Sequence, residues 1–445
     1  MLENFFKLQE NGTTIKTEII GGITTFFAMA YILGINPILL SKTGMPTTGV
    51  LFATAISSGI ACIIMGLLSR YPVGLAPGMG VNALFTYTIV LGMNYSWQAA
   101  LAAVFLSNII LLIVSVSKIR DTIINAIPLD LKLGIGAGIG FYLAFVGLTG
   151  CEIIESHPTT LVTLGNLFSP PVLLALIGIF ITLILYHKKI QGAVLIGMII
   201  TAAIGLVMTS LGFGAGNEIM PTLPNNPITT SFDLSIIGEF TKGFGELFSN
   251  IPNLIIILFS FVFITFFDAT GTLISIGREC GFADETGENV EIKKALISNA
   301  VGGIIGSIFG TSTITTYIES ATGVEIGAKT GLTSVVIGIL FILSIFISPL
   351  ILSLFKIPVT TSALMLVGIL IISQLKDINW SDLVVTSSVF MIILMMILTY
   401  SISLGIAWGF ITYSIGTIAT GKFKEIKPEI YVLAIVFGIY IFFGL

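Results

Sequence analysis

The stretch STITTYIESATGV, residues 312–324, places a carboxylate, Glu319, behind a run of β-branched and hydroxyl-bearing side chains. Between Ala295 and Ala328 the only charged residues are Glu319 and Glu325. Such a run favours an extended backbone, although the surrounding residues are apolar enough for the interior of a membrane. Non-helical backbone at membrane depth persists only where protein or a water-filled cavity satisfies its polar groups. We therefore predict that this segment lies inside the protein, beside a cavity.

The composition of the whole chain is that of a polytopic membrane protein. Of its 445 residues, 55% are hydrophobic and 9% are charged, whereas about 25% are charged in ordinary soluble domains. Apolar segments follow one another from about residue 19 to the last residue, which predicts an all-α polytopic membrane protein with about 14 transmembrane segments. One segment, 382–419, is too long for a single ordinary span, and the sequence leaves open whether it crosses twice or doubles back.

The charges and the metal-ligating residues exclude several classes of partner. The net charge of -4 is spread thinly and no basic run is present, so nucleic acid is excluded as a partner. Cys62, Cys151 and Cys280 are far apart in the sequence, and the chain's two histidines complete no metal-ligand pattern. We predict no metal site and no cofactor.

The lysines and arginines of the short loops predict how the chain is oriented. Arg70 follows the second apolar segment, and Lys188 and Lys189 follow the sixth. Because Lys and Arg prefer cytoplasmic loops, the N-terminus is predicted to be cytoplasmic, whereas residues 151–170 and 213–250 face outward. The protein is expected to be a multi-pass protein of the plasma membrane.

The two halves of the chain resemble each other weakly. TFFA, ending at Ala28, resembles TFFDA, in which Asp268 is the aligned acid. Asn82 lies 54 residues after Ala28, and Glu319 lies 51 residues after Asp268. Seven spans per half is an odd number, so the second half enters the membrane from the opposite face, and such inverted repeats place a binding site near the bilayer midplane.

The repeat predicts the boundaries of the two halves. The first repeat covers residues 1–212, an extracellular connecting segment covers 213–250, and the second repeat covers 251–445. The third segment of each half is predicted to be broken, near 74–85 and near 310–319. The first of these contains a proline and three glycines, which a continuous helix tolerates poorly.

Three polar side chains at membrane depth are the candidate site residues. Asp268 is the only charge between Ile251 and Gly277, and a carboxylate at the centre of a membrane helix costs roughly 2.5 to 3.5 kcal/mol. No Lys or Arg lies in the middle of a span to pair with Asp268 or Glu319. The two acids are suited to hold a cation, take up a proton, or accept hydrogen bonds from a neutral N–H-bearing substrate, and they disfavour anions. Asn82 suits the edge of a heterocycle, and a role as a turn residue is equally open.

Four motifs carry a family resemblance. They are GGITTFFAMAYILGINP (21–37), PVGLAPGMGVNALFTY (72–87), FFDATGTL (266–273) and TTYIESATGV (315–324). In these motifs, and in their order along nearly the whole chain, the sequence resembles the nucleobase:cation symporter-2 family, specifically its AzgA-like branch of purine permeases. Members of this branch often carry a second acid where this chain has Thr265.

The resemblance implies a fold with a core domain that carries the substrate and a gate domain against which it moves. The core would consist of spans 19–117 and 251–354, and the gate of spans 132–212 and 358–445. Asp268 and Glu319 would be the central carboxylates, and either of them would carry the coupling proton. The other site residues that the resemblance implies are Asn82, the backbone at Ala83, Tyr317 and Ile318, and, close by, Ala28 and Thr272.

The function expected from this resemblance is the uptake of hypoxanthine, guanine or adenine together with a proton, or with sodium. The partners are then a purine nucleobase, the coupling ion and the lipid bilayer, and a homodimer is expected by analogy. One alternative is a transporter of the same architecture for uracil, xanthine or an inorganic anion such as sulfate. The other is an intramembrane enzyme, which would need a catalytic set such as HExxH that the membrane segments lack.

Overall fold

The computed structural model describes residues 2–117, 128–214, 216–280, 290–422 and 427–443. Within these ranges the chain is built of helices and two small two-stranded sheets. The helices are α1 (Leu2–Phe6), α2 (Ile15–Met29), α3 (Ile32–Ser41), α4 (Thr47–Ile64), α5 (Met79–Ala83), α6 (Trp97–Val116), α7 (Leu129–Gly150), α8 (Pro170–His187), α9 (Ala193–Ser210), α10 (Phe244–Leu247), α11 (Ile251–Glu279), α12 (Val290–Phe309), α13 (Ala321–Glu325), α14 (Gly331–Ser344), α15 (Ser348–Leu354), α16 (Ile357–Ile372), α17 (Leu383–Thr399), α18 (Ile402–Ala419) and α19 (Pro428–Phe443). The strands are β1 (Leu75–Pro77), β2 (Ile154–His157), β3 (Leu161–Leu164) and β4 (Ile314–Thr316).

Short turns of other helix types extend these elements. π-Helical turns follow α4 at Met65–Ser69 and α5 at Leu84–Gly92. A 3₁₀ turn at Ile318–Ser320 leads from β4 into α13. The length and composition of 11 helical stretches in the described ranges suit them to cross a membrane, and three further apolar helices are shorter. The prediction of an all-α polytopic membrane protein is confirmed.

The two halves of the chain repeat one order of elements. The first half runs α2–α3, α4, the broken segment β1–α5, α6, α7, α8 and α9, and the second half runs α11, α12, the broken segment β4–α13, α14–α15, α16, α17 and α18. The packing repeats as well, because α6 contacts α11 and α12 just as α14 contacts α2 and α4. Likewise α7 packs against α17 and α18, whereas α16 packs against α8 and α9. This exchange between halves confirms the inverted repeat of seven plus seven elements.

The helices form two packed groups, each with members from both halves. The first helix group contains α2 to α6 and α11 to α15, and the second contains α7 to α9 and α16 to α18. The contact between α7 and α16 joins the two repeats within the second helix group. The predicted division into core and gate concerns movement of one such group against the other, and it stays a prediction.

Segment 382–419 is a helical hairpin. Helices α17 and α18 pack along each other and are separated by Tyr400 and Ser401 alone. Tyr400 adopts the left-handed backbone conformation, with φ of 52°, and this reverses the chain direction. The hairpin therefore supplies the sixth and seventh elements of the second half. The predicted last span, 428–445, becomes an additional helix, α19, which packs against α18 and α11.

The two broken segments meet as a pair of antiparallel strands. β1 pairs with β4 so that Leu75 lies opposite Thr316 and Pro77 lies opposite Ile314. All residues of both strands are buried, so their backbone groups need hydrogen bonds within the protein. The pairing supplies part of these bonds, and the Cys62 thiol bonds both the N–H and the carbonyl oxygen of Leu75. Gly78 follows β1 at a point of close approach, because a Cβ atom there would lie 2.6 Å from Cγ2 of Thr315. Both predicted breaks are present, and the two broken segments pair with each other.

The connecting segment 213–250 lies across the ends of helices of the first helix group. Its backbone donates hydrogen bonds from Thr222 to the carbonyl oxygen of Ser353 at 3.1 Å and from Gly238 to that of Ile308 at 2.8 Å. These bonds tie the segment to α15 and α12, both of the second half. The segment thus covers the ends of these two helices and is hydrogen-bonded to them.

Glu18 is a buried acid that the sequence patterns do not single out. Its carboxylate accepts hydrogen bonds from the backbone N–H of Lys329 at 2.8 Å and of Thr330 at 3.2 Å. It also accepts bonds from the backbone N–H of Thr333 at 3.3 Å and from its hydroxyl at 2.7 Å. A negative charge at this place complements the partial positive charge at the start of α14. The hydrogen bonds of Glu18 therefore link the beginning of the first repeat to the second repeat.

Replacing Glu18 with alanine is expected to lower the stability of the protein without touching the interior cavity. The change leaves three backbone N–H groups and the Thr333 hydroxyl without their acceptor, which predicts a loss on the order of 3 kcal/mol or more. Thermal unfolding of the purified protein in detergent measures the effect. Glu10→Ala is the control, because Glu10 is an exposed acid in a surface ion pair with Lys7. Equal unfolding temperatures for the two variants would contradict the expectation.

Candidate functional site

The functional candidates lie around the junction of the two broken segments. α5 follows β1 and carries Asn82 and Ala83, and the 3₁₀ turn after β4 carries Ile318 and Glu319. Because the strands are antiparallel, the chain leaves β1 and β4 at opposite ends of the pair. Asn82 therefore lies at one end of the junction and Glu319 at the other.

Glu319 is held by a tyrosine of the first repeat. The hydroxyl of Tyr31 donates a hydrogen bond of 2.6 Å to Oε1 of Glu319. Tyr31 is buried, with 1% of its surface exposed, and it lies at the break between α2 and α3. The Glu319 side chain itself is partly exposed. Sequence reasoning missed Tyr31, whose only signal is a hydroxyl within an apolar stretch of sequence.

Tyr317 lies beside Tyr31 but binds elsewhere. The centroids of the two rings are 6.2 Å apart, and the ring planes meet at 45°. The Tyr317 hydroxyl donates to the backbone oxygen of Pro77 at 2.6 Å, which ties the end of β4 to the end of β1. Tyr317 thus supports the strand pair, and among the described side chains only Tyr31 donates a hydrogen bond to the Glu319 carboxylate.

Asp268 is exposed, although its neighbour in the same helix is buried. It belongs to α11, where its neighbour Ala269 is fully buried, yet Asp268 is exposed. Gly271, one turn further along, is exposed too, and a Cβ atom there would meet nothing within 4 Å. Asp268 lies beside Thr315 and within electrostatic range of Glu319. Asp268 and Gly271 thus share an exposed side of α11, next to the second broken segment.

Asn82 joins the two broken segments. Its Oδ1 accepts a hydrogen bond from the Ser312 hydroxyl, and Asn82 and Ser312 are both fully buried. In the described part of the chain, Nδ2 of Asn82 has no hydrogen-bond partner. Ala83 is also fully buried. These two predicted site residues are therefore enclosed by protein in this conformation.

The remaining predicted site residues differ in how far their side chains are exposed. Ile318 is 47% exposed and lies next to Glu319 in the chain, whereas Ala28 and Thr272 are buried at 4% and 7%. Thr265, where an acid was expected from the resemblance, is buried, and its hydroxyl has no partner among the described residues. Only Ile318, Glu319 and Asp268 of the predicted set thus present substantial surface to open space.

Two asparagines that were not among the predicted site residues donate hydrogen bonds to the chain just before β4. Asn36 donates through Nδ2 to the hydroxyls of Thr54 at 2.6 Å and Thr311 at 2.9 Å. Asn108 donates to the hydroxyl of Thr313 at 3.3 Å. The hydroxyls of Thr311 and Thr313 thus bond to side chains of neighbouring helices, and these bonds fix the position of the chain before β4.

A separate cavity of about 330 Å³ lies between the two helix groups. It is lined by the π-helical turn after α5 and by the turn between α17 and α18. The rings of Tyr87, Tyr142 and Tyr400 form a cluster at this place, with centroids 6.0 to 6.1 Å apart. Lys42 donates a hydrogen bond of 3.0 Å to the Tyr87 hydroxyl. This cluster connects the two helix groups, and none of the predicted site residues lines the cavity.

The two carboxylates have no cationic partner in the described part of the chain. The ion pairs there involve Glu10, Glu239 and Asp382, and neither Asp268 nor Glu319 takes part. No group of three or more metal-ligating side chains is found among the described residues. The open pair of acids is therefore suited to bind a cation or proton, or to accept hydrogen bonds from N–H groups.

Comparisons with known proteins agree with the architecture and with the motifs. Residues 16–408 match the model of the Permease family. The chain is 41% identical to the guanine/hypoxanthine permease PbuG of Bacillus subtilis, over 99% of this chain and 100% of that protein. It is 38% identical to the adenine permease AdeP of Escherichia coli, over 100% of this chain and 96% of that protein.

A solved structure shares the fold. The transmembrane domain of the cyanobacterial bicarbonate transporter BicA superimposes with a TM-score of 0.61 at 15% sequence identity, over 90% of this chain and 97% of that domain. At this identity the likeness concerns the fold alone. The family match and the two full-length relatives confirm the resemblance that the four motifs indicated, and the chain belongs to the Permease family.

Proposed function

We propose that this protein is a secondary transporter that carries purine nucleobases across the membrane together with a proton. The observation that carries the proposal is the pair Glu319 and Asp268, which have accessible surface, lie within electrostatic range of each other and lack a cationic partner in the described ranges. We take the space in front of this pair as the substrate cavity. The relatives named as guanine/hypoxanthine and adenine permeases support a purine as the substrate. Purines bear N–H groups at their edges, and a carboxylate accepts hydrogen bonds from such groups.

In this proposal Glu319 binds the substrate. Its Oε1 is engaged by Tyr31, so Oε2 is the oxygen left for a ring N–H. Ile318 supplies apolar surface beside it, and the rings of Tyr31 and Tyr317 lie next to each other behind the carboxylate. Asn82 contributes when the cavity opens toward α5, because its Nδ2 is a donor without a partner in the described structure.

Asp268 is assigned the coupling proton. It is the more exposed of the two acids and lies close enough to Glu319 for the charge of one to affect the other. Neutralising Asp268 reduces the repulsion between the two acids when Glu319 binds substrate. A proton entering along the membrane potential contributes about 2.3 kcal/mol per 100 mV to uptake.

Transport would proceed by movement of the first helix group, which carries these residues, against the second. The cluster of Tyr87, Tyr142 and Tyr400 joins the two groups on one side of the site. Opening on that side requires these rings to separate.

We also propose that the N-terminus is cytoplasmic, as the loop charges predict, and cysteine labelling tests this topology. Thr159→Cys, between β2 and β3, should react with a membrane-impermeant maleimide in intact cells, whereas Lys188→Cys, between α8 and α9, should react only after permeabilisation. Both positions are exposed. The native residues Cys62, Cys151 and Cys280 are buried, so the background is low. The reverse pattern would place the N-terminus outside.

Binding to the purified protein tests the substrate class. Hypoxanthine, guanine and adenine should bind, and excess purine should displace radiolabelled hypoxanthine, whereas excess sulfate or uracil should not. Recovery of unmodified hypoxanthine after exposure is expected of a transporter rather than an enzyme. Displacement by sulfate but by no purine would overturn the proposal. The predicted homodimer is tested on the same preparation by its mass in detergent.

A further inference from the structure

The bond between Tyr31 and Glu319 connects parts of the chain that lie 288 residues apart. Tyr31 lies between α2 and α3, and its hydroxyl is enclosed by protein because only 1% of the residue is exposed. A buried tyrosine hydroxyl requires a hydrogen-bond acceptor. Glu319 is the acceptor that the structure provides.

The bond makes the two oxygens of the Glu319 carboxylate inequivalent, because only one of them accepts the Tyr31 hydroxyl. Oε1 receives the Tyr31 hydroxyl at 2.6 Å, a charge-assisted bond when the carboxylate is ionised. Oε2 receives no side-chain hydrogen bond in the described structure. The neighbouring Tyr317 does not compete, because its hydroxyl is bound to the backbone of Pro77. Tyr31 therefore restricts both the orientation of the carboxylate and the number of acceptor positions that it offers.

We propose that Tyr31 is a specificity-determining residue that favours purines presenting a single N–H group to Glu319 over purines presenting two adjacent N–H groups. This inference rests on the proposed function. Guanine carries N1–H next to its 2-amino group, and these two donors match both oxygens of a free carboxylate in parallel. Hypoxanthine carries N1–H without a 2-amino group, so it needs one oxygen. With Oε1 engaged by Tyr31, guanine must share or displace that bond, and hypoxanthine uses Oε2 alone.

The test compares the affinities of guanine and hypoxanthine for the purified wild-type protein and for Tyr31→Phe. Phenylalanine keeps the ring beside Tyr317 and removes the donor, so both oxygens of Glu319 become available. The ratio of guanine affinity to hypoxanthine affinity should rise roughly tenfold, the effect of about one hydrogen bond. Tyr95→Phe, at a buried tyrosine outside the site, should leave the ratio unchanged.

The outcomes separate this inference from the function on which it rests. If the wild type binds both purines and the ratio is the same in Tyr31→Phe, the role of Tyr31 is overturned and the proposed function stands. A structural role alone would weaken both purines equally and give that result. If the wild type binds neither purine, both proposals fall together.

A second measurement covers the case in which Tyr31→Phe does not fold. Incorporation of 3-fluorotyrosine at position 31 keeps the ring and the hydroxyl and makes the hydroxyl a stronger donor. The ratio should then move in the opposite direction, further in favour of hypoxanthine. An unchanged ratio in this protein would overturn the inference as well.

Discussion

Replacing Glu319 with glutamine is expected to lower the affinity for hypoxanthine and guanine by about 100-fold or more. The substitution keeps the size of the side chain but exchanges one acceptor oxygen for an NH₂ group. The Tyr31 hydroxyl then keeps the remaining oxygen, so the NH₂ group faces the N–H of the purine, and two donors meet. A lost charge-assisted bond is worth about 1.5 to 3 kcal/mol, and the unsatisfied donors add to this cost.

The matched control for this experiment is Glu325→Gln. Glu325 is an exposed residue at the end of α13, six positions after Glu319, so the same substitution can be made there. Purine affinity should stay at the wild-type value in this variant. Direct binding to the purified protein measures both. An affinity in Glu319→Gln within threefold of the wild type would remove Glu319 from the binding site.

Replacing Asp268 with asparagine is expected to abolish accumulation against a gradient while purine binding and exchange persist. An amide does not take up a proton, so transport loses its coupling and only equalises the concentrations on the two sides. In the wild type, one charge moving through 100 mV supports roughly 50-fold accumulation. The ratio of inside to outside purine should therefore fall to about one in the variant.

Proteoliposomes with an imposed pH gradient and membrane potential measure this effect. Asp377→Asn is the control, because Asp377 is an exposed acid outside the first helix group. Exchange of labelled for unlabelled hypoxanthine, with no gradient applied, shows whether the variant still binds and moves substrate. Accumulation by Asp268→Asn at the wild-type level would exclude Asp268 as the coupling residue. Accumulation that follows a sodium gradient instead would identify sodium as the coupling ion.

Much of this architecture could be predicted from the sequence because its strongest signals are local. Apolar length defines the spans, and Pro77 with its neighbouring glycines marks the first break. An acid in an apolar helix is costly wherever it lies, so Asp268 and Glu319 stood out without any knowledge of their neighbours. In the structure Asp268 lies within electrostatic range of Glu319.

The contacts between the two repeats could not be predicted in the same way. The bond from Tyr31 to Glu319 and the binding of Glu18 at the start of α14 join residues that are about 300 positions apart. No local pattern distinguishes Tyr31 from other tyrosines of the membrane helices. The hairpin at 382–419 was ambiguous for a related reason, because a two-residue turn at Tyr400 interrupts the apolar pattern too briefly to be read from composition.

The strand pair between the two repeats also has a consequence for biosynthesis. Some backbone groups of β1 are satisfied within the first half, where Leu75 is bonded to Cys62 of α4, but its partner strand β4 is made about 240 residues later. At about 5 to 20 residues per second, the ribosome needs roughly 10 to 50 seconds to supply the partner strand. During this interval the first half has no complete binding site and carries an unpaired strand in an apolar environment. The nascent chain must therefore be sheltered, by the insertion machinery or by its own neighbouring helices, until the second half arrives.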